Sequence, residues 1–171
     1  MDYVTLIGEE YPDIEVHVIG NANDYDNITW LNPAQQIPKA TLDERKLVLI
    51  KKNKIIDLSN SCEKAIIGGF ISNALGADHL YDSEEVDQIN LIGAVTSTAP
   101  TVAEPNGYSS YYACRDVSTG IKSYIEHSHF VLRQVMADGA LFKLNLLQRF
   151  HMFRSQVEGA VDEEQINAII W

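Results

Sequence analysis

Gly68-Gly-Phe-Ile-Ser-Asn-Ala-Leu-Gly-Ala-Asp-His-Leu-Tyr-Asp-Ser-Glu-Glu-Val-Asp-Gln-Ile-Asn-Leu-Ile-Gly-Ala-Val95 is the stretch whose reading decides the fold. It reads as a short strand, a turn and a second strand, followed by a capped amphipathic helix. Phe70, Leu75 and Leu80 supply apolar strand positions, and Gly76-Ala-Asp78 supplies the turn. Asp82 followed three residues later by Glu85 has the form of a capping box, in which side-chain oxygens satisfy helix-start amides that lack a backbone partner. Val86, Ile89 and Gly93 then fall on one helical face. No catalytic constellation lies inside this block.

Downstream, residues 96–110 form a long polar segment, expected to be a mobile loop. Tyr111–Ala113 and Ile121–Ile125 predict a hairpin across Asp116-Val-Ser-Thr-Gly120. The longest regular element is a helix expected over about 128–158, with Val135, Gly139, Phe142, Leu146, Phe150, Phe153 and Val157 down one side. At 1.5 Å per residue it would measure about 45 Å. Asp138-Gly139 is its expected weak point, since Gly within a helix costs about 1 kcal/mol relative to Ala. Asp162 with Gln165 caps a short last helix that ends at Trp171, whose ring is expected in the core. Residues 68–171 therefore predict an α+β module of order ββ-helix-ββ-helix, built of small antiparallel hairpins and long helices.

Upstream, residues 41–67 predict a connecting helix opened by a Thr41/Glu44 capping box, with Val48, Ile55 and Cys62 recurring every seven residues. A hairpin is the alternative for residues 47–58, pairing Leu47–Ile50 with Ile55–Leu58, because β-branched residues favour strand. Residues 1–40 read as an irregular N-terminal arm. Strand-like runs at Val4–Leu6, Ile14–Ile19 and Ile28–Trp30 are broken by turns at Pro12-Asp13 and Asn21–Asp24. The arm carries aromatics of the kind that anchor contacts, Tyr25 and Trp30 among them, and is expected to order against a partner.

At 171 residues the chain suits one domain with a small attachment, and its 46% hydrophobic content is enough for a core. Thirteen Lys and Arg stand against 24 Asp and Glu, a formal charge of −11. Such a surface repels phosphates and anionic lipids, so neither nucleic acid nor membrane is an expected partner. The start of the sequence lacks the basic region and apolar core of a secretory signal, and no stretch has the about 18 apolar residues of a membrane span.

His127-Ser-His129 is the one pattern with a candidate metal role, since imidazoles bind Fe, Zn, Ni and Cu and two from each chain can ring an ion on a trimer axis. A helix expected to start there would splay the two rings, and the plainer reading is a pair of helix-start histidines. Asp24-Tyr-Asp26-Asn27 fails the calcium-loop order, because Ile28 occupies a ligand position. Cys62 and Cys114 read as small buried hydrophobes, with a disulfide between them neither required nor excluded. His79 near Tyr81 and Asp82 has the residue types of an acid/base trio, and the plainer reading is an edge-strand side chain beside a cap at Asp82. No nucleophile elbow, zinc-protease helix or phosphate loop occurs, and no catalytic residue or cofactor is expected.

From Gly69-Phe70 onward the chain resembles a domain family of tailed bacteriophages, of unknown function, often encoded beside tail-fibre and fibre-assembly genes. The matching elements are His79-Leu-Tyr81-Asp82-Ser83, Asp87-Gln88-Ile89-Asn90-Leu91-Ile92-Gly93, Tyr112-Ala-Cys114-Arg-Asp116, Gly120-Ile-Lys122, His127 and Ile169-Ile-Trp171. They span roughly the last hundred residues. Asn27-Ile-Thr-Trp30 leading to Pro38 is similar to the preface of some fibre-assembly proteins. The resemblance implies a structural, non-enzymatic component of a tail fibre or baseplate, located in the virion, that binds fibre chains and mounts them. A fibre-assembly chaperone is the alternative, and a metal-dependent hydrolase of surface glycans is the alternative of another class. Fibres of this kind are usually threefold, so a homotrimer is expected, and Phe142, Leu146, Phe153 and Val157 give an apolar stripe that suits either its seam or core packing within one chain.

Overall fold

In the computed structural model, which describes residues 1–171, the chain runs α1 (Tyr3–Glu10), β1 (Val16–Val18), β2 (Ile28–Trp30), α2 (Lys39–Ile67), β3 (Phe70–Ser72) and β4 (His79–Tyr81). It continues through α3 (Glu85–Ser97), β5 (Ser109–Asp116), β6 (Lys122–Ser128), α4 (His129–Gly159) and α5 (Glu163–Ala168). This is an α+β architecture of small antiparallel sheets and long helices. Contacts divide it into two compact units: residues 1–57 with 153–170, and residues 58–152 with Trp171. The boundaries thus fall inside α2 and α4, not at residues 40 and 67.

Unit 58–152 has the expected ββ-helix-ββ-helix order. Its four strands lie in the order β3-β4-β5-β6, all neighbours antiparallel. Register fixes the two faces of the sheet, since side chains alternate along a strand. Phe70, Tyr81 and Cys114 share one face and cluster with Leu91 of α3 and with Leu132 and Val135 of α4. Burying each such large side chain is worth about 1.5–3 kcal/mol, so this cluster is the main source of the unit's stability. The opposite face, with Ile71, Tyr111 and Tyr124, is exposed.

The Asp138-Gly139 pair proves to be a docking point. Ser72 Oγ donates to Asp138 Oδ2 at 2.5 Å, and a Cβ at Gly139 would meet the Phe70 ring at 2.7 Å. Glycine there lets α4 approach β3 closely. The predicted inner row of α4 holds from Val135 to Val157, every member buried or half-buried.

Three local expectations around α3 are refined. The α3 cap sits two residues later, where the Glu84 amide donates to Asp87 Oδ2 at 3.1 Å, because Asp82 is ion-paired with Lys122. Val86 and Ile89 face outward, while Leu91, Ala94 and Val95 face the sheet. The loop after α3 is anchored at its neck: Tyr108 N–H donates to Thr98 C=O at 2.9 Å, and Gly107 takes φ +75° where a Cβ would strike that same carbonyl oxygen.

The other unit corrects the reading of residues 1–40 as an arm that orders only against a partner. Val4–Leu6 lies in a helix, because Asp2 caps it through the Thr5 amide at 2.8 Å. Tyr3, Leu6, Ile7, Ile28, Trp30 and Ile37 close a core around Leu42 of α2. Trp30 and Tyr25 are tilted rings 6.2 Å apart inside this unit, and the Tyr25 hydroxyl donates to Ile37 C=O at 2.6 Å. The helix α2 is continuous, so the hairpin alternative at 47–58 is excluded. It begins before Thr41, because the Pro38 carbonyl accepts from Thr41 and Leu42 N–H. Its buried row is Leu42, Leu58 and Cys62, and Val48 points outward. Lys51 Nζ donates to Glu158 C=O at 2.9 Å, and Lys46 lies 3.9 Å from Glu163, which ties residues 153–170 to α2. Asp162 caps α5 through Gln165 N–H at 2.8 Å, as expected, but the helix stops at Ala168.

Candidate functional site

The C-terminal half of α2, the outer side of α3 and α4 up to Phe150 enclose a groove of about 560 Å³. Its apolar walls are Cys62, Ile66, Ile89, Ile92, Leu147 and Phe150, and its polar rim is Glu63, Glu85 and Lys143. Ile89 is 60% exposed and Ile92 57%. Leaving two β-branched side chains of one helical turn mostly in water forgoes over half of the about 1.5–3 kcal/mol that full burial of each is worth. Contiguous exposure of this kind marks an interaction surface more than scattered apolar residues do. A second, smaller cavity of about 210 Å³ adjoins it, walled by Phe70, Leu91, Met136 and Gly139. Gln88 and Lys143 border both spaces and are bonded to each other, Lys143 Nζ donating to Gln88 Oε1 at 3.2 Å. The groove is thus an apolar trough with a side-chain-sized chamber behind a polar strap.

Beneath the sheet lies a buried polar cluster. His127 is fully buried, its Nδ1 2.7 Å from Ile125 C=O and its Nε2 2.9 Å from the Tyr81 hydroxyl. A carbonyl only accepts, so Nδ1 carries the proton and Tyr81 donates to Nε2. Burial lowers the His127 pKa; the Ile125 carbonyl opposes this and the neighbouring His79 adds to it. Burial also raises Tyr81 and Cys114, and pushes Tyr112 up to about 12. Each group is held in its neutral form, so there is no thiolate, and the His127 Nε2 lone pair is taken by the Tyr81 hydroxyl. Cys62 is likewise raised by burial, and both cysteines are free thiols.

The histidines singled out as candidate metal ligands do not converge. His127 ends β6 with both ring nitrogens occupied, and His129 begins α4 with Nδ1 3.3 Å from the Thr98 hydroxyl. No group of three His, Cys, Asp or Glu side chains is placed to hold a metal ion. The stripe on α4 follows the core-packing alternative within this chain. Phe142 packs on the Phe70 ring at 6.4 Å, Leu146 and Phe153 are half-buried, and Val157 is fully buried. The same applies to Trp30 and Tyr25 in the N-terminal core. These side chains are used within the chain, because the apolar period that marks a coiled-coil seam also marks an ordinary core-facing row. The residues that do form the exposed groove were missed. Their one sequence signal was a second apolar row on α3, which local pattern cannot assign to inside or outside.

No protein-family model, curated protein or solved structure matches this chain.

Proposed function

We propose that the protein is an accessory structural component of a bacteriophage tail fibre or baseplate, which binds fibre chains and mounts them on the virion. The resemblance of residues 69–171 to tail-fibre-associated domains gives the setting. The carrying observation is the groove beside Ile89 and Ile92, an apolar trough held open between three helices. Its occupant is an apolar helical segment of the fibre chain, laid in the trough with one side chain in the adjoining chamber, a recurrent mode of peptide recognition. Basic flanks on that segment suit a chain of net charge −11 whose groove rim carries Glu63 and Glu85.

The test is co-purification of the full chain with tail-fibre chains, and then counting its copies in purified virions. Wild type is expected to bind and to be present at fixed copy number, a multiple of three on a threefold fibre. Ile89→Glu and Ile92→Glu are expected to abolish binding while the chain keeps its fold. Binding unaffected by either substitution overturns the groove. Absence from virions overturns the structural role and leaves a chaperone. A change in the free chain's own oligomeric state in these variants gives the groove to a second copy instead.

A further inference from the structure

A second site, independent of the groove, lies where β4 stops short. Strand β4 pairs with β5 only at Arg115 and Asp116, so β5 from Ser109 to Cys114 has no strand on that side. The Asp116 amide donates to Ile121 C=O at 3.0 Å, which sets the alternation: Cys114 and Tyr112 bond toward β6, and the N–H and C=O of Ala113 point to the open side. At this place a notch of about 270 Å³ opens, lined by Asp82, Asp87, Asn90, Ala113, Lys122 and Tyr124. The Tyr112 hydroxyl, donating to Asp87 C=O at 3.1 Å, fixes the start of α3 against it.

The groups around the notch are mixed in a specific way. Asp82 is ion-paired with Lys122. Asp87 spends Oδ2 on the Glu84 amide, and the Asn90 side-chain amide has no partner in the protein. Tyr124 stands on the outer face, 74% exposed, directly across from Ala113, whose small side chain leaves the ring face clear. An anion would meet two carboxylates against one ammonium. A metal or ammonium ion would leave the N–H groups of Lys122, Asn90 and Ala113 without acceptors. Only a neutral ligand that carries donors and acceptors together, with an apolar face for the tyrosine, satisfies the whole set.

We propose that this notch binds a single saccharide ring, its hydroxyls shared among Asp82, Asp87, Asn90 and Lys122 and its C–H face laid on Tyr124. The volume is just below the about 300–1,000 Å³ of drug-sized clefts, which fits one ring and not an extended chain.

The experiment is a ¹H–¹⁵N chemical-shift titration of the full chain with methyl β-D-glucopyranoside, methyl β-D-galactopyranoside and methyl N-acetyl-β-D-glucosaminide. At least one is expected to shift the amides of Asn90, Ala113 and Tyr124 in a saturable way. Tyr124→Ala and Asn90→Ala are each expected to weaken that binding about tenfold. Neither side chain holds the core, so folding is retained, and an unchanged far spectrum verifies it. Silence from all three glycosides overturns the proposal. So does a titration indifferent to Tyr124→Ala. Equal shifts with putrescine or magnesium and none with glycosides make the notch a cation site. Shifts running along Ser109–Ala113 with an extended peptide alone make it a strand-pairing edge.

Discussion

The Phe70 ring occupies the space a side chain on Gly139 would need, with its Cζ 2.7 Å from the Cβ position. The ring cannot yield easily, since it is stacked on Tyr81 at 5.7 Å and packed by Phe142 at 6.4 Å. Helix propensity favours Gly139→Ala by about 1 kcal/mol, while overpacking a filled core costs about 1–3 kcal/mol. We expect a net loss of stability by urea denaturation. In a Phe70→Leu background the same substitution is expected to become neutral or stabilising, because the clash is gone. A Gly139→Ala protein more stable than wild type would show that α4 does not depend on this approach.

His127 gives the stability a pH dependence in a defined window. Its folded pKa lies below the ordinary 6.5, chiefly through burial. Between 6.5 and the lower folded value, the unfolded chain binds a proton that the folded one does not. Stability is therefore full above pH 6.5 and falls as pH drops toward the folded value. Asp116, lowered to about 2 by hydrogen bonds from Ser118 and Thr119, acts only in more acid solution. The urea midpoint is expected to decline from pH 7 to pH 5, and His127→Gln to flatten that decline whatever its effect at pH 7.

Trp30 carries the only buried side-chain nitrogen or oxygen that lacks a hydrogen-bond partner, its indole Nε1. Leaving such a donor unpaired costs about 1–3 kcal/mol. Replacing the ring by Phe removes that penalty along with some packing, so Trp30→Phe is expected to cost under about 1 kcal/mol. Trp30→Ala is expected to cost about 3–5 kcal/mol by opening a cavity beside Tyr25 and Ile28. Thermal melts of the two variants check the contrast.

Trp171 is half-buried, with the Arg149 guanidinium 4.9 Å from its ring centroid. A contact of this type contributes about 0.5–1 kcal/mol, well short of the cost of a fully buried tryptophan. Trp171→Ala is expected to lower Tm by about 2–4 °C for a chain of this size. A drop beyond about 10 °C would restore the core role the sequence suggests.

Elements held by local chemistry were legible in the sequence. Asp162 and Gln165 cap α5 as read, the turn at Gly76 forms, and the α4 row from Val135 to Val157 is inward because a three-and-four spacing over six turns admits one face. Elements decided at long range were not. Asp82 satisfies the capping pattern with Glu85, yet Lys122, forty residues on, competes for it. Two apolar rows on α3 were equally good by spacing, and only the sheet selects Leu91 over Ile89. The N-terminal helix had a local signal, Asp2 three residues before Thr5, but β-type residues at Val4 and Thr5 obscured it. The groove and the notch collect residues from Cys62 to Phe150 and from Asp82 to Tyr124, a proximity no single window contains.

The division of the chain has a consequence for how it is made. Residues 58–152 form one uninterrupted unit, while the other needs residues 1–57 and 153–170 together. On a ribosome adding about 5–20 residues per second, the first 57 residues wait on the order of 5–20 s for residues 153–170 to complete their unit. The middle unit can close during the same delay. Translation speed through residues 58–152, which alters no native contact, is therefore a lever on how much chain reaches the native state and how much is diverted to a chaperone.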